Sequence, residues 1–278
     1  MNKFYKATTI VLIAAMSSFA INALAGPKED QAAFVKYYET KFPNTDPSDF
    51  INGVYSVHPA SREQWLEIEE FPPYEIAVEE GEELFNTKFA NGKSYADCFS
   101  DGAAARKNYP YFDTKRNEVV TLELAINECR TKNNEQPLKF MVDDMANLSA
   151  YMAFSARGEI INVSIPNKAA VAAYEKGKEY YYSKRGQLNF ACIDCHGSSA
   201  GLKIRADTLG PSLGHTSHFP VYRYGWNNMG TLHRRFASCN VQVRAKPLEA
   251  QSEEYRNLEY FLSYMGNGLE INGPGVRK

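Results

Sequence analysis

Cys192-Ile193-Asp194-Cys195-His196 places two thiols and an imidazole at a short, fixed spacing. Two cysteines separated by two residues can add to the two vinyl groups of a haem, and a histidine directly after the second reaches the iron from the proximal side. The same Cys-x-x-Cys would also serve thiol–disulfide exchange or half of a zinc site. The adjacent histidine and the lack of a second Cys-x-x-Cys in the sequence favour one covalently attached haem c, held by Cys192 and Cys195 with His196 as an axial iron ligand.

Three further cysteines, Cys98, Cys129 and Cys239, make an odd total of five. An internal repeat assigns them. Residues 121–163 align without a gap to 231–273 at an offset of 110, with Thr121-Leu122 on Thr231-Leu232, Cys129 on Cys239, Pro137-Leu138 on Pro247-Leu248 and Ile161-Asn162 on Ile271-Asn272. Ten of the 43 positions are identical, too many for a gapless chance match. The front parts correspond too: Gly81 precedes Cys98 by 17 residues, and Gly177 precedes Cys195 by 18.

The repeat shows what one copy lacks. Where the second copy has Cys192, Cys195 and His196, the first has Tyr95, Cys98 and Phe99, so it cannot attach or ligate haem in that way. Cys98 is left with Cys129 as the partner in its own copy. In an oxidising compartment a disulfide is expected between them, worth roughly 3–4 kcal/mol by chain entropy, the alternative being two free thiols.

Cys239 then stands without a thiol partner in the copy that carries haem. It is the expected sixth ligand of the iron, with Met229 and Met265 as competing ligands and a buried core thiol as the plain alternative. Arg235 lies four residues earlier, one helical turn away. The matching residue of the first copy is Ala125. A guanidinium there would lower the thiol's pKa and offer a bidentate seat for a small oxyanion, although most arginines merely face solvent. Arg223 and Arg234 rank second as anion contacts, and His215, His218 and His233 read as loop or supporting residues.

These groups need elements to hold them. Helical periodicity covers 29–41, 78–90, 119–129, 142–157, 170–184, 228–239 and 250–265. Proline and glycine clusters separate the segments, and Val241 to Arg244 reads as at most a short strand. The expected fold is mostly α: two tandem cytochrome c-like domains, a haem-free one over 26–165 and a haem-binding one over 166–278.

Residues 1–25 read as an export signal. Lys3 and Lys6 precede an apolar run from Thr9 to Ile21, and Ala23-Leu24-Ala25 supplies a cleavage site. The run is shorter than the roughly 20 apolar residues of a bilayer span, so a cleaved leader is preferred to an anchor and a periplasmic protein is expected. Loss of the two lysines takes the net charge from −2 to −4. With no basic run, nucleic acid is an unsuitable partner.

Together these residues resemble the SoxA family, the larger subunits of the SoxAX cytochromes of sulfur-oxidising bacteria. The resemblance rests on Cys192 to His196, Tyr222-Arg223 with Trp226, Thr231-Leu-His-Arg-Arg235-Phe-Ala-Ser-Cys239, and the tail from Tyr255 to Arg277. It matches the single-haem branch and spans nearly the whole chain after the leader. It implies an enzyme, an L-cysteine S-thiosulfotransferase that joins thiosulfate oxidatively to a cysteine of a SoxY-type carrier (SoxYZ) and releases two electrons. The implied partners are a SoxX-like cytochrome subunit in a heterodimer and a soluble cytochrome c acceptor. Cys239 would be the catalytic sulfur, able to carry an extra sulfur as a persulfide, and Arg235 would hold the sulfonate. A simple electron-transfer cytochrome without sulfur chemistry is the competing reading.

Overall fold

The computed structural model describes residues 26–278, and the expected leader lies outside them. Among the described residues nine α-helices carry the architecture: α1 (Pro27–Lys41), α2 (Val54–Val57), α3 (Pro59–Ile68), α4 (Glu75–Asn86), α5 (Leu122–Lys132), α6 (Asp143–Ser155), α7 (Lys168–Tyr182), α8 (Leu232–Gln242) and α9 (Glu253–Met265). Seven strands of two or three residues join them: β1 (Tyr111–Asp113), β2 (Glu118–Val120), β3 (Lys203–Ile204), β4 (Asp207–Thr208), β5 (Val221–Arg223), β6 (Asn228–Gly230) and β7 (Gly275–Arg277). About half of the described residues are helical, so the fold is less purely α than the periodicity suggested.

Helix starts follow from local chemistry. The Thr121, Asn167 and Ser252 side chains accept from the backbone N–H groups of Leu124, Ala170 and Tyr255, capping α5, α7 and α9. Pro27 opens α1, where its missing N–H costs nothing. Val241 to Arg244 is not a strand: α8 runs through Gln242, and Arg244 turns out of it with φ 56°. The helices α2 and α3 had no sequence expectation; α3 buries none of its residues fully, so it lacks an apolar stripe to read.

The series β1, β2, α5, α6 recurs as β5, β6, α8, α9, each element 110 residues later. In both series a helix crosses the last one at a glycine. A Cβ on Gly81 of α4 would lie 2.1 Å from the Asn147 carbonyl oxygen, and one on Gly177 of α7 2.0 Å from that of Asn257. Only a residue without a side chain permits so close a crossing. The halves meet where Ile160 pairs antiparallel with Glu270. Around that bridge Gly158 N–H donates to Ile271 O and Gly268 N–H to Ile161 O, a reciprocal pattern with a local two-fold axis.

Packing crosses the expected cut at 165. Phe34 and Tyr38 of α1, with Phe50, belong to the large core built by Tyr174 and Tyr181 of α7 and Leu258, Tyr260 and Phe261 of α9. Edge-to-face pairs of Phe34 with Tyr181 of α7 (6.1 Å) and with Phe261 of α9 (6.4 Å) tie the helices together. At the other terminus β7 adds in parallel to β5, while β6 pairs with the opposite edge of β5. The first helix and the last strand of the described residues thus both pack on the second half. The first half keeps its own core of Phe85, Phe89, Tyr95, Phe99, Leu122, Ile126, Met145 and Leu148.

Candidate active site

Cys195 and His196 sit in a single wide π-helical turn, Asp194–Ser198, that follows the loop after α7. The loop is locked in place: Asp194 Oδ2 accepts from the Ala191 N–H at 2.8 Å, and a Cβ on Gly186 would strike the Val243 carbonyl at 2.1 Å. The loop's Gly186 therefore presses on the residue just past α8, fixing the Cys-x-x-Cys-His segment relative to the helix that carries Arg235 and Cys239.

His196 Nδ1 lies 2.9 Å from the Gly210 carbonyl oxygen, which can only accept, so the Nδ1–H donates the hydrogen bond. That fixes the tautomer and leaves the Nε2 lone pair free. Burial lowers the imidazole to about 4, so it is neutral at physiological pH, as an iron ligand must be. His215 packs edge-on against it with ring centroids 4.4 Å apart, and His218 stands 6.2 Å behind His215. Burial holds both of these well below the usual histidine range. Of the histidines read as supporting residues these two are grouped around His196, whereas His233 lies elsewhere, on α8 facing Glu259 of α9.

Cys192, Cys195 and Cys239 are all free thiols. Burial pushes Cys192 up to about 11, opposed by Arg185, whose Nη1 donates to the sulfur at 3.4 Å. Burial also raises Cys195, and the charge of Cys239 raises both thiols further. Arg235 acts electrostatically on Cys195 and on His196. The five groups expected to work together therefore share one site, with Cys239 and Arg235 approaching from α8. Met229 is instead buried among Tyr74, Ala77, Ala146, Ala150 and Val276, and Met265 ends α9 inside the large core.

The donor set fits a haem c. A porphyrin supplies four of the six iron ligands, so the protein owes two axial atoms and two thiols for the vinyl groups. His196 Nε2, the Cys239 sulfur and the free thiols of Cys192 and Cys195 are groups of the kinds such a cofactor would need. At the corresponding place in the first half Tyr95 stacks on Phe85 at 6.0 Å, and Phe99 packs 6.2 Å from Tyr109. There Cys98 and Cys129 form a disulfide with Cα atoms 5.9 Å apart.

The two second-rank arginines divide. Arg234 is engaged structurally, with Nη1 donating to the Met229 carbonyl at 2.7 Å and its guanidinium 4.3 Å from the Trp226 ring. Arg223 is half-buried and turned toward the site: burial lowers it to about 10, with Arg235 the next largest cause.

Comparison with known proteins bears on this geometry. A family model described as the SoxA/TsdA cytochrome c domain matches residues 80–161, within the half that carries the disulfide. The L-cysteine S-thiosulfotransferase subunit SoxA of Allochromatium vinosum is 55% identical over 272 residues, covering 97% of each chain. The chain belongs to the SoxA family. The corresponding subunit of Chlorobaculum thiosulfatiphilum is 52% identical over 97% of this chain and 96% of its own. Among solved structures, SoxXA from P. pantotrophus superposes with a TM-score of 0.72 at 29% identity, covering 81% of this chain and 86% of that one. As a SoxA family member the chain is a c-type cytochrome subunit, for which haem c is the cofactor. Among the described residues no helix is long and apolar enough to cross a membrane.

Proposed function

We propose that the chain couples thiosulfate to a cysteine thiol on a SoxY-type carrier, as the cytochrome subunit of an L-cysteine S-thiosulfotransferase in thiosulfate oxidation. The names of its relatives support the activity, and the superposition on SoxXA supports a SoxX-like partner in a heterodimer. In the balanced reaction a carrier thiol and thiosulfate dianion give the S-thiosulfonate monoanion, one proton and two electrons. The two electrons would leave through the partner subunit to a soluble cytochrome c.

One observation carries the assignment to residues: Cys239 and Arg235 stand one turn apart on α8, facing Cys195 and His196, while their counterparts are a bridged Cys129 and Ala125. Arg235 holds the sulfonate oxygens and orients the outer sulfur toward Cys239. The Cys239 sulfur bonds thiosulfate as the electron pair leaves, and the carrier thiolate then takes over the sulfane sulfur, returning Cys239 as thiolate. A bound haem c supplies a one-electron acceptor beside that sulfur. His196 and Cys239 would hold its iron, and Cys192 and Cys195 would attach it covalently.

The first half is read as a cytochrome c domain that carries no haem, the two halves being a tandem duplication. The match of residues 80–161 to a cytochrome c domain supports this, as do Tyr95 and Phe99 occupying its core. On this reading the domains run over 26–165 and 166–278, with α1 reaching across to the second, and the chain holds a single haem. The leader directs it to the periplasm.

Coexpression with the partner subunit tests the function. Thiosulfate plus carrier should reduce cytochrome c, and Cys239→Ala or Arg235→Ala should abolish or strongly depress that rate. Full activity in Cys239→Ala would leave only the electron-carrier reading, and an intact mass with two haems would overturn the haem-free first half.

A further inference from the structure

Side chains alternate along a strand, so Val221 and Arg223 share one face of β5. Val221 packs with Leu232 and Phe236 of α8, which turns Arg223 toward α8 as well. Two more observations place it beside the sulfur site. Like-charge repulsion from Arg235 helps lower the Arg223 guanidinium, and the Cys239 charge pulls the other way. Arg223 thus lies within electrostatic reach of both proposed site residues.

Among the described residues Arg223 and Arg235 make no ion pair and no side-chain hydrogen bond, although Arg223 lies over the Trp226 ring at 5.5 Å. Asp207 on β4 exerts an attraction on Arg223 without forming an ion pair with it. Other buried arginines are anchored: Arg277 donates to the Asn52 and Val276 carbonyls, and Arg106 to those of Tyr109 and Thr216. Two half-buried cations that repel each other and lack an anionic partner form a seat that a dianion would complete.

The other half supplies an internal comparison. Position 223 corresponds to 113, and β1 carries Asp113 there, its carboxylate accepting from the N–H groups of Lys115 and Arg116. The half whose cysteine is bridged thus lacks both cations: one becomes Ala125 and the other is reversed in sign.

We propose that Arg223 is the second cation of the substrate seat, holding the sulfonate of thiosulfate jointly with Arg235 so that its outer sulfur faces Cys239. This deepens the proposed function and rests on it. One guanidinium neutralises half of a thiosulfate dianion, and two from different elements neutralise it and fix its direction. The seat suits a small tetrahedral sulfur dianion better than a monoanion.

The test uses the haem-loaded complex with its partner subunit and carrier. In Arg223→Gln the KM for thiosulfate should rise at least tenfold while kcat stays within about threefold, and competitive inhibition by sulfate should weaken in parallel. Arg223→Lys, which keeps a charge but loses the planar fork, should recover part of the loss. The visible haem spectrum reports the fold and should match that of the unaltered protein in both variants. An unchanged KM and sulfate inhibition in Arg223→Gln with a normal spectrum would overturn the inference alone. Equal loss in Gln and Lys variants with an altered spectrum would make Arg223 structural and also overturn it. No thiosulfate-dependent reduction by the unaltered complex would overturn the function on which it rests.

Discussion

The Tyr38 hydroxyl donates to the main-chain carbonyl of His196 at 2.8 Å, joining the first helix to the proposed iron ligand across 158 positions. The same oxygen accepts from the Ser212 N–H at 3.3 Å. Burial raises the phenol to about 12, so it stays protonated and able to donate throughout the physiological range. Removing it takes one of two donors from the His196 carbonyl, which keeps the Ser212 N–H at 3.1 Å, a loss worth about 1 kcal/mol. Tyr38→Phe is expected to lower the unfolding free energy of the holoprotein by that amount while keeping the haem attached. Denaturant unfolding followed at the haem band checks this.

The Cys98–Cys129 disulfide closes an interval of 31 residues. In the chain-entropy model its loss costs roughly 3–4 kcal/mol. The double substitution Cys98→Ser with Cys129→Ser should destabilise the first half by about that much and leave the haem content of the second unchanged. Trp65 and Trp226 lie in different halves, so variants retaining one tryptophan each allow fluorescence to follow the two separately.

Glu123 on α5 and His233 on α8 occupy equivalent positions, as do Ser149 and Glu259, and the four meet between the halves. Ser149 Oγ donates to Glu123 at 3.3 Å, and His233 Nε2 approaches Glu259 at 3.2 Å. His233 Nδ1 accepts from the Gln251 N–H, so Nε2 carries the proton that faces Glu259. Burial, then the Glu259 charge, raises the Glu123 carboxyl, with His233 and Arg106 opposing. A raised carboxyl binds its proton more tightly when folded. Its contribution is fully present below the ordinary value of 4.5 and lost as pH climbs through the higher folded value. Stability should therefore fall across that window at about 1.4 kcal/mol per unit of displacement. Glu123→Gln should flatten the profile there, and an unchanged slope in chemical denaturation at stepped pH would show that Glu123 is not responsible.

The crossing of α7 over α9 leaves no room at Gly177. Gly177→Ala would force the backbones apart or strain them, at a cost of about 3 kcal/mol. Since α7 leads through one loop to the proposed haem-attachment segment Cys192–His196, covalent haem yield on expression should fall as well. Gly81→Ala should cost about as much stability without that loss of haem, measured by pyridine haemochrome against total protein.

The chemistry was easier to read from the sequence than the positions were. Cys192, Cys195 and His196 announce themselves by spacing, and the repeat pointed to Cys239 and Arg235 by contrast with Cys129 and Ala125. Long helices such as α6 and α9 show through their periodicity. The docking of α1 on the second half did not, because contacts such as Tyr38 to His196 are made between residues far apart in sequence and leave no local pattern. Strands of three residues, β5 and β7 among them, are too short for alternation to register. The direction of Arg223 depends on that strand pairing, so the sequence could only rank it with Arg234.

Ile160 lies opposite the residue that occupies its own place in the other half. A homodimer assembled about such an axis would carry every substitution twice, once in each subunit. Here the two sides belong to one polypeptide, and each position is coded independently. Alanine at 125 does not require alanine at 235, nor does phenylalanine at 99 forbid histidine at 196. Joining the halves in a single chain is what frees one to be packed solid with aromatic rings while the other keeps an unbridged thiol.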